Sequence, residues 1–284
     1  MSYLMSSVVF FPFDLFGSSG AKAGAELLAD AFAELLTDNR RESIKTRADV
    51  YMKRVRARSF TFEKLADYRD WRKRAQLSVR QAWRKKDFLL WVSGNHLGVL
   101  PLYDELAGSG SDTLVVQFDA HLDIHRFMEC TPELSHGNFL LHASRPLPKI
   151  INLGHRDLLL RPDYIRKYYH KAFSAQEVLL NPDPVLQYLS KTAGTAQKVL
   201  IDIDCDVFDP AYFPAVSNPL PFGLTPQMLL QLVHAAWSER VVGLSLSEFD
   251  PGRDRNDQSL TTLVWFLEYF LLKRHEKLRE TDVQ

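Results

Sequence analysis

Short, unbroken apolar runs separated by longer amphipathic segments dominate this chain of 284 residues. Four clear runs fall at residues 88–92, 113–118, 199–203 and 241–246. A strand without polar alternation is buried on both faces, as in a parallel sheet that carries helices on each side. The alternation of such runs with helical patterns therefore predicts an α/β fold, a three-layer α/β/α sandwich with a mostly parallel sheet.

Periodicity and end signals predict the other elements. They are strands at 8–11 and 150–153, a partly extended segment at 46–62, and helices at 21–36, 62–85, 97–106, 184–191, 226–238 and 260–277. Pro101 is expected to interrupt the 97–106 helix, and Thr225 is expected to begin the 226–238 helix. Because no linker rich in Gly, Pro or Ser divides the chain, we expect one domain over residues 1–284.

Polar side chains follow each of the four clear runs. The run at 88–92 leads to His96, 113–118 to Asp119, 199–203 to Asp204, and 241–246 to Glu248. Open parallel sheets bind ligands beyond the carboxyl ends of their strands. We therefore expect these four side chains to meet at one edge of the sheet, in an arrangement that a purely structural role explains poorly.

Two compact acidic clusters stand out among these strand ends. The first spans residues 118–123 and the second spans residues 202–210. Alternation along an extended chain places Asp119, His121 and Asp123 on one side. Such a density of carboxylates is costly unless a cation binds there, and carboxylates with an occasional His suit divalent metal ions. The clusters therefore predict a two-metal centre, and with it a hydrolase.

The bulk composition excludes several other classes. Lys plus Arg and Asp plus Glu both number 35, so the zero net charge gives no support for nucleic-acid binding. No apolar stretch reaches membrane-spanning length. With two cysteines, Cys130 and Cys205, a disulfide framework is not expected, and a cytoplasmic location fits. The apolar patch at 8–11 lacks a basic region before it and is interpreted as a strand, not a signal peptide.

Basic residues concentrate in two stretches, at 40–58 and 72–86. Solvated faces of helices are the simpler interpretation of such charge. A docking surface for an acidic partner or peptide is the alternative.

In their order along the chain, these motifs resemble the arginase/agmatinase family, the ureohydrolases. The family carries Gly-Gly-Asp-His, Asp-Ala-His-x-Asp, His-Gly, Asp-x-Asp-x-x-Asp-Pro and Glu-x-x-Pro segments. The matching segments here begin at Ser93, Asp119, His136, Asp204 and Glu248. One such motif is weak evidence, whereas five in the same order are specific. The resemblance runs from the N-terminus to about Leu272.

The resemblance implies an eight-stranded parallel sheet between helices and a pair of Mn²⁺ ions. By the family pattern, one ion would be held by His96, Asp119, Asp123 and Asp204. The other would be held by His121, Asp119, Asp204 and Asp206. Ureohydrolases are often trimers or hexamers, which makes a homo-oligomer one option. The resemblance carries no interface residues, so the oligomeric state stays open.

The resemblance also implies catalytic and substrate-binding roles. His136 resembles the family's proton-shuttling His, and Asp123 is expected to act in catalysis as well as in metal binding. Glu248 would pair with the guanidinium of the substrate, because its planar fork of N–H groups suits a carboxylate. His125 is expected to contact the rest of the substrate. Asp202 is interpreted as a strand-end acid outside the ligand set, and the Cys205 side chain is expected to point away from that set.

Several positions depart from the family pattern and bear on the substrate. Asn95 replaces the usual Asp before the first metal-binding His, which affects the surroundings of the ligands. Enzymes of free arginine carry Asn, Ser and Asn where this chain has His125, Pro132 and Leu134. Without those polar groups the site has no obvious means of recognising the charged ends of a free amino acid.

The favoured substrate is therefore an arginine residue within a peptide, which would give ornithine and urea. A small guanidino compound such as agmatine or a guanidino acid is the alternative, and His125, Arg126, Arg156 or Arg161 could bind the carboxylate of such an acid. A formimino substrate, a deacetylase-type amide substrate and a non-enzymatic scaffold role remain open as less favoured hypotheses.

Overall fold

The computed structural model describes residues 5–17, 19–107, 112–126 and 133–276. Its centre is one sheet of eight strands, all parallel, in the order β2-β1-β3-β8-β7-β4-β5-β6. The strands are β1 Ser6–Phe11, β2 Val55–Ser59, β3 Phe88–Ser93, β4 Thr113–Phe118, β5 Lys149–His155, β6 Lys171–Ser174, β7 Lys198–Asp204 and β8 Val241–Ser247. The predicted parallel sheet is confirmed.

Helices cover both faces of the sheet. They are α1 Ala21–Arg41, α2 Leu65–Arg69, α3 Trp71–Arg84, α4 Leu100–Ala107, α5 Pro162–Ile165, α6 Ala175–Leu180, α7 Pro182–Thr195, α8 Pro226–Ala236 and α9 Gln258–His275. Short 3₁₀ turns lie at Arg47–Val50, His96–Val99, His136–Leu141, Cys205–Val207 and Pro251–Arg253. No helix in the described ranges has the length and apolarity that crossing a membrane requires.

Alternation along each strand divides the core into two apolar clusters, one on each face of the sheet. In β1, Val8 and Phe10 belong to the cluster under α1, α7, α8 and α9, whereas Val9 and Phe11 belong to the cluster under α3 and α4. All six residues of β4 are buried. Burial on both sides explains why these strands are apolar throughout rather than alternating.

The predicted single helix over 62–85 is wrong, because the structure has two helices there. Asp70 separates α2 from α3 with backbone angles outside the helical region. The Asp67 carboxylate accepts hydrogen bonds from the backbone N–H groups of Glu63 and Lys64 and so fixes the start of α2. Such a local side-chain bond competes with a longer helix, which hydrophobic periodicity alone does not register.

Other elements were missed or only partly predicted. The edge strand β6 and the short helices α5 and α6 had no predicted counterpart. The segment at 46–62 contains a 3₁₀ turn as well as the short strand β2. Pro101 lies in the first turn of α4 and does not interrupt it, because a missing N–H costs nothing there. Thr225 caps α8 by accepting from the backbone N–H of Met228, as expected.

Helix α1 lies against the segment that follows β8, and this contact helps to position Glu248. Gly24 of α1 approaches the backbone of Phe249 so closely that a Cβ there would overlap the Phe249 carbonyl oxygen. Glu248 itself has a φ of 64°, in the left-handed region that is unfavourable for a residue with a side chain. The close packing of α1 therefore supports a strained backbone at the edge of the sheet.

Replacing Gly24 by Ala should therefore destabilise the fold and disturb the strand end beside it. We expect the Gly24→Ala variant to lose about 1–3 kcal/mol in the free energy of unfolding, because the new methyl group overpacks the contact. Denaturant unfolding measures this loss. The matched control is Gly194→Ala in α7, where nothing lies within 4 Å of the added Cβ. The control should change stability by less than about 0.5 kcal/mol, and equal losses in both variants would contradict the account.

Candidate metal centre and substrate cavity

Three carboxylates converge on one nitrogen of His96 beyond the ends of β4 and β7. From His96 Nδ1, the distances are 2.8 Å to Asp123 Oδ2, 3.2 Å to Asp119 Oδ2 and 3.2 Å to Asp204 Oδ2. All four side chains are buried. His96 lies in the 3₁₀ turn that follows β3, so three separate strands deliver this group to one edge of the sheet.

A second group surrounds His121. Its Nδ1 lies 2.7 Å from Asp206 Oδ2 and 3.9 Å from Asp119 Oδ1. One oxygen of Asp119 therefore faces His96 and the other faces His121. Among the residues that the structure describes, two sets of side chains have ligand atoms close enough together to hold a metal ion. They are His96 with Asp119 and Asp123, and His121 with Asp119 and Asp206. Sharing of Asp119 is the geometry of a pair of adjacent metal ions.

Asp204 presents one carboxylate oxygen to the His96 group and uses the other within the backbone turn that follows it. Its Oδ2 faces His96, while its Oδ1 accepts a hydrogen bond of 3.0 Å from the backbone N–H of Asp206. This bond closes the 3₁₀ turn Cys205–Val207 and fixes the position of Asp206. Cys205 points away from the carboxylates into the apolar core, as expected from the sequence.

The carboxylates repel one another in the absence of a cation. Burial, together with the negative charge of Asp123, raises the pKa of Asp119 to about 8. Burial and the charge of Asp206 raise the pKa of Asp204 well above its usual range. Burial works against ionisation of His121 and Asp206 as well. Their mutual attraction outweighs it, so the pKa of His121 rises to about 10 and that of Asp206 falls to about 2.

The residues present fit a pair of divalent ions. Asp119 Oδ2 is fully buried and has no hydrogen bond of its own, because the neighbouring His96 Nδ1, at 3.2 Å, lies nearer to Asp123. Such an oxygen is costly unless a cation contacts it. A donor set of four carboxylates and two imidazoles suits an ion such as Mn²⁺. Zinc and copper, by contrast, are selected by sets rich in thiolates. The arrangement also places both His Nδ1 atoms toward the acids, as a pair of metal sites requires.

His136 and Glu248 lie together beside this group. His136 Nδ1 is 3.5 Å from Glu248 Oε1, and the same oxygen accepts a hydrogen bond of 2.8 Å from the backbone N–H of His96. Burial lowers the pKa of His136, but the hydrogen bond and charge of Glu248 outweigh it and raise that pKa. The imidazole therefore favours its protonated form more than a solvated His does.

The loop after β1 holds His136 in place. The backbone N–H of His136 donates to the Phe16 carbonyl at 3.0 Å, and Asn95 Nδ2 donates to the Leu15 carbonyl at 3.0 Å. The Asn95 amide thus secures the loop, which the Asp usual at this position could not do as a donor. The departure at Asn95 acts on the loop over His136 rather than directly on a metal-binding side chain.

A cavity of about 720 Å³ opens onto these groups. Its inner wall includes His96, His121, Asp123, His136, Asp204, Asp206 and Glu248. Its outer wall is largely apolar and includes Leu158, Leu159, Val216, Pro219 and Leu220. Leu158 is 90% exposed and Leu159 is 64% exposed, so apolar surface rims the entrance. This volume is that of a small-molecule or side-chain binding site.

His125 lines the cavity but is already paired. Its Nε2 lies 3.0 Å from Asp157 Oδ2, and Asp157 Oδ1 accepts from the backbone N–H groups of Leu159 and Leu160. Burial raises the pKa of Asp157, but the hydrogen bond from His125 and those backbone donors outweigh it and lower the pKa to about 2. The pair therefore shapes the outer wall as a hydrogen-bonded, internally satisfied unit.

A match to the Arginase family model covers residues 6–272 of the chain. The chain belongs to the arginase family. The match includes all five motifs and every strand of the sheet, so the resemblance seen in the sequence is confirmed.

Individual relatives are distant. Agmatinase from Bacillus cereus is 30% identical over 199 residues, which cover 65% of this chain and 63% of the relative. Agmatinase from Photorhabdus laumondii is 24% identical over 94% of this chain and 86% of the relative. The first of these matches thus spans less than two thirds of the relative's own length.

Solved structures share the fold. A hypothetical agmatinase from Burkholderia thailandensis superposes with a TM-score of 0.77, 20% identity and coverage of 98% of this chain and 88% of that one. Arginase from Bacillus subtilis gives a TM-score of 0.74, 21% identity and coverage of 94% and 98%. At this identity the likeness establishes the arginase-type fold but not the substrate.

The structure also places the other positions that bear on the choice of substrate. Leu134 packs against the apolar core and does not line the cavity, and Pro132 lies outside the described residues. Arg156 donates to the backbone carbonyls of Asp206 and Val207, and Arg161 pairs with Asp163. These contacts leave neither guanidinium directed at a substrate carboxylate.

Sequence reasoning missed Asp157 and undervalued Asp202. Asp202 is fully buried behind His96, with its Oδ2 3.1 Å from His96 Nε2. Strand alternation was the available signal, because Asp202 and Asp204 lie two residues apart on the same face of β7. No local signal marks Asp157, whose partner His125 is 32 residues away in the sequence.

Metal binding should stabilise the protein and release protons. At about 100 times the Kd, Mn²⁺ should add about 2.7 kcal/mol to the free energy of unfolding. Near pH 7, Asp119 and His121 hold protons in the metal-free protein, because their pKa values are about 8 and 10. A metal ion must displace these protons, so the affinity should rise with pH through this range.

Thermal unfolding and calorimetry in two buffers of different ionisation enthalpy test both effects. Asp119→Asn should remove the Mn²⁺-dependent stabilisation. Glu239→Gln, which removes one exposed carboxylate remote from the site, should retain it. A binding heat that does not depend on the buffer would contradict proton release, and equal stabilisation of Asp119→Asn would contradict the assignment of the site.

Proposed function

We propose that this protein is a metal-dependent ureohydrolase, which hydrolyses a guanidino group to urea and an amine. The observation that carries this proposal is Asp119, whose two oxygens face two separate His-containing groups at the inner end of one cavity. Membership of the arginase family and the agmatinase names of its relatives support the same reaction.

Two Mn²⁺ ions are the proposed cofactors. His96, Asp119, Asp123 and Asp204 would hold one ion, and His121, Asp119, Asp204 and Asp206 would hold the other. When bound, the pair would lower the pKa of a water molecule and so supply a nucleophile at neutral pH. The chain's own residues then bind the substrate, orient it and move the protons.

Glu248 is the proposed guanidinium partner. Its carboxylate lines the cavity next to the metal-binding residues, and a planar guanidinium pairs well with a carboxylate. The hydrogen bond from the His96 backbone and the left-handed backbone at Glu248 fix the direction of that side chain. This pairing would hold the guanidinium carbon over the metal-binding groups.

His136 is the proposed proton donor. As the C–N bond to the substrate's chain breaks, the electron pair stays on that nitrogen, which then takes a proton from the imidazolium. The oxygen of water becomes the carbonyl oxygen of urea. The raised pKa of His136 favours the donor form of the imidazole more than in a solvated His. Asp123, whose φ is 47°, would hold its metal-binding carboxylate in a strained but fixed position.

For the substrate, we propose an arginine residue within a peptide. Among the described residues that line the outer cavity, the charged side chains are engaged with each other or with backbone carbonyls: His125 with Asp157, and Arg156 with residues 206 and 207. The exposed leucines at the rim suit neutral peptide flanks better than a charged amino-acid head. A peptidyl arginine presents no charged α-amino or α-carboxyl group at this position.

Agmatine is the second candidate. The names of the curated relatives favour it, and the Asp157 carboxylate at the outer wall is a group that an ammonium tail could share with His125. Guanidino acids are less favoured, because the contacts of Arg156 and Arg161 hold those side chains elsewhere.

Urea release by Mn²⁺-loaded protein distinguishes these substrates. Free arginine, agmatine and a peptide with one internal arginine are compared, and mass spectrometry follows conversion of the peptide's arginine to ornithine. We expect the peptide to give the highest kcat/KM, and Asp119→Asn to give no urea from any substrate. Urea from agmatine alone would establish the second candidate. No urea from any guanidine, with two metal ions bound, would contradict the proposed reaction.

A variant at the rim of the cavity gives a second test of the preference between agmatine and the peptide. Leu159→Asp places a carboxylate at the cavity entrance and should improve kcat/KM for agmatine relative to the peptide, by about fivefold at most for an exposed pair. Leu159→Asn is the uncharged control and should not shift this ratio.

A further inference from the structure

A second cavity lies at the opposite edge of the sheet from the metal-binding residues. Its volume is about 540 Å³, which is in the range of small-molecule sites. Lys149 begins β5 and His170 directly precedes β6, so this cavity opens at the amino ends of two parallel strands. The described residues that line it include no acidic side chain and several basic ones: Arg145, Lys149, Arg166, Lys167 and His170. We call it the basic cavity.

The basic cavity is assembled from two segments, 145–149 and 166–170, which the fold brings together. Each segment carries only a few charges, so neither stands out in the sequence as the stretches at 40–58 and 72–86 do. A cleft lined by charge of one sign focuses the electrostatic potential and concentrates ions of the opposite sign. The arrangement therefore favours an anionic ligand.

Ion pairing distinguishes the basic cavity from the predicted basic stretch at 72–86. Three arginines of that stretch are paired with carboxylates of the same chain: Arg72 with Asp104, Arg74 with Asp67 and Arg80 with Glu105. In contrast, the Arg and Lys side chains of the basic cavity form no ion pair with any described residue. Their charge is left for a ligand to neutralise.

Aromatic rings hold two of these cations in place. The Arg145 guanidinium lies 5.4 Å from the centre of the Tyr168 ring, and Lys167 Nζ lies 5.6 Å from the centre of the Tyr164 ring. The two rings meet edge-on at 5.5 Å. Because these cations are positioned before a ligand arrives, less conformational entropy is lost on binding.

The backbone around the basic cavity is anchored in the protein interior. Tyr169 is buried, and its hydroxyl donates to the Leu122 carbonyl. The backbone N–H of His170 donates to the Ile150 carbonyl at 2.9 Å. Pro148, also buried, restricts the backbone of the other segment. Both segments are thus fixed parts of the fold, which a specific binding site requires.

We propose that the basic cavity binds a small molecule that carries a diphosphate group. Guanidinium groups pair with phosphate through their planar fork, and lysines add point charges. A diphosphate concentrates several negative charges in a short length, which matches several cations around one small cavity. An acidic peptide spreads its charge over many residues, and the zero net charge of the chain argues against a nucleic-acid backbone.

Calorimetric titration of the full-length protein with inorganic pyrophosphate tests this proposal. Metal is omitted so that phosphate does not bind at the proposed metal centre, and the ionic strength is kept constant. We expect one pyrophosphate to bind per chain. Lys149→Gln/Arg166→Gln removes two exposed charges of the basic cavity and should weaken binding at least tenfold.

The matched control is Arg40→Gln/Arg84→Gln. It removes the same charge from two exposed positions outside the basic cavity, so it should bind pyrophosphate within about twofold of the wild-type protein. Titration with ADP distinguishes two sources of the diphosphate. Tighter binding of ADP than of pyrophosphate would assign the cavity to an organic diphosphate, and equal binding would assign it to the diphosphate group alone.

Three results would overturn the proposal. The first is that neither pyrophosphate nor ADP binds to the wild-type protein. The second is that the two double variants bind pyrophosphate equally well. The third is that an acidic peptide binds at the basic cavity while pyrophosphate does not, which would assign the cavity to a partner that bears carboxylates.

Discussion

Repulsion among buried carboxylates is the constraint on which the rest of the structure depends. Asp119, Asp123, Asp204 and Asp206 lie within one small region at the edge of the sheet, largely out of contact with water. Burial and mutual charge raise the pKa of Asp119 and Asp204, so the set is poorly satisfied by protein alone. Two divalent cations would compensate this charge, and the same cations would carry the chemistry that the fold positions.

A parallel sheet makes such a concentration of charge possible. Each strand ends at the same edge, so side chains distant in sequence meet without long loops. Asp123 and Glu248, which follow β4 and β8, both have left-handed backbones, and helix α1 packs closely against the residue after Glu248. The strain is unfavourable in itself, but it fixes the direction of the two side chains.

Much of this arrangement could be predicted from residues alone. Unbroken apolar runs indicated a parallel sheet, and alternation around Asp119 and His121 indicated which side chains share a face. The break at Asp70 and the edge strand β6 could not be predicted in the same way, because local side-chain hydrogen bonds and a short half-exposed strand leave no clear periodic signal. The pairing of His125 with Asp157 depends on tertiary contact and is equally absent from local patterns.

The proposed metal centre requires two ions, one on each side of Asp119. A crystal of the Mn²⁺-loaded protein, measured with X-rays near the manganese absorption edge, tests it most directly. We expect two anomalous peaks about 3.5–4 Å apart. One should lie at His96 Nδ1 and the other at His121 Nδ1, with an Asp119 oxygen bound to each. A single peak, or peaks away from these two imidazoles, would contradict the account.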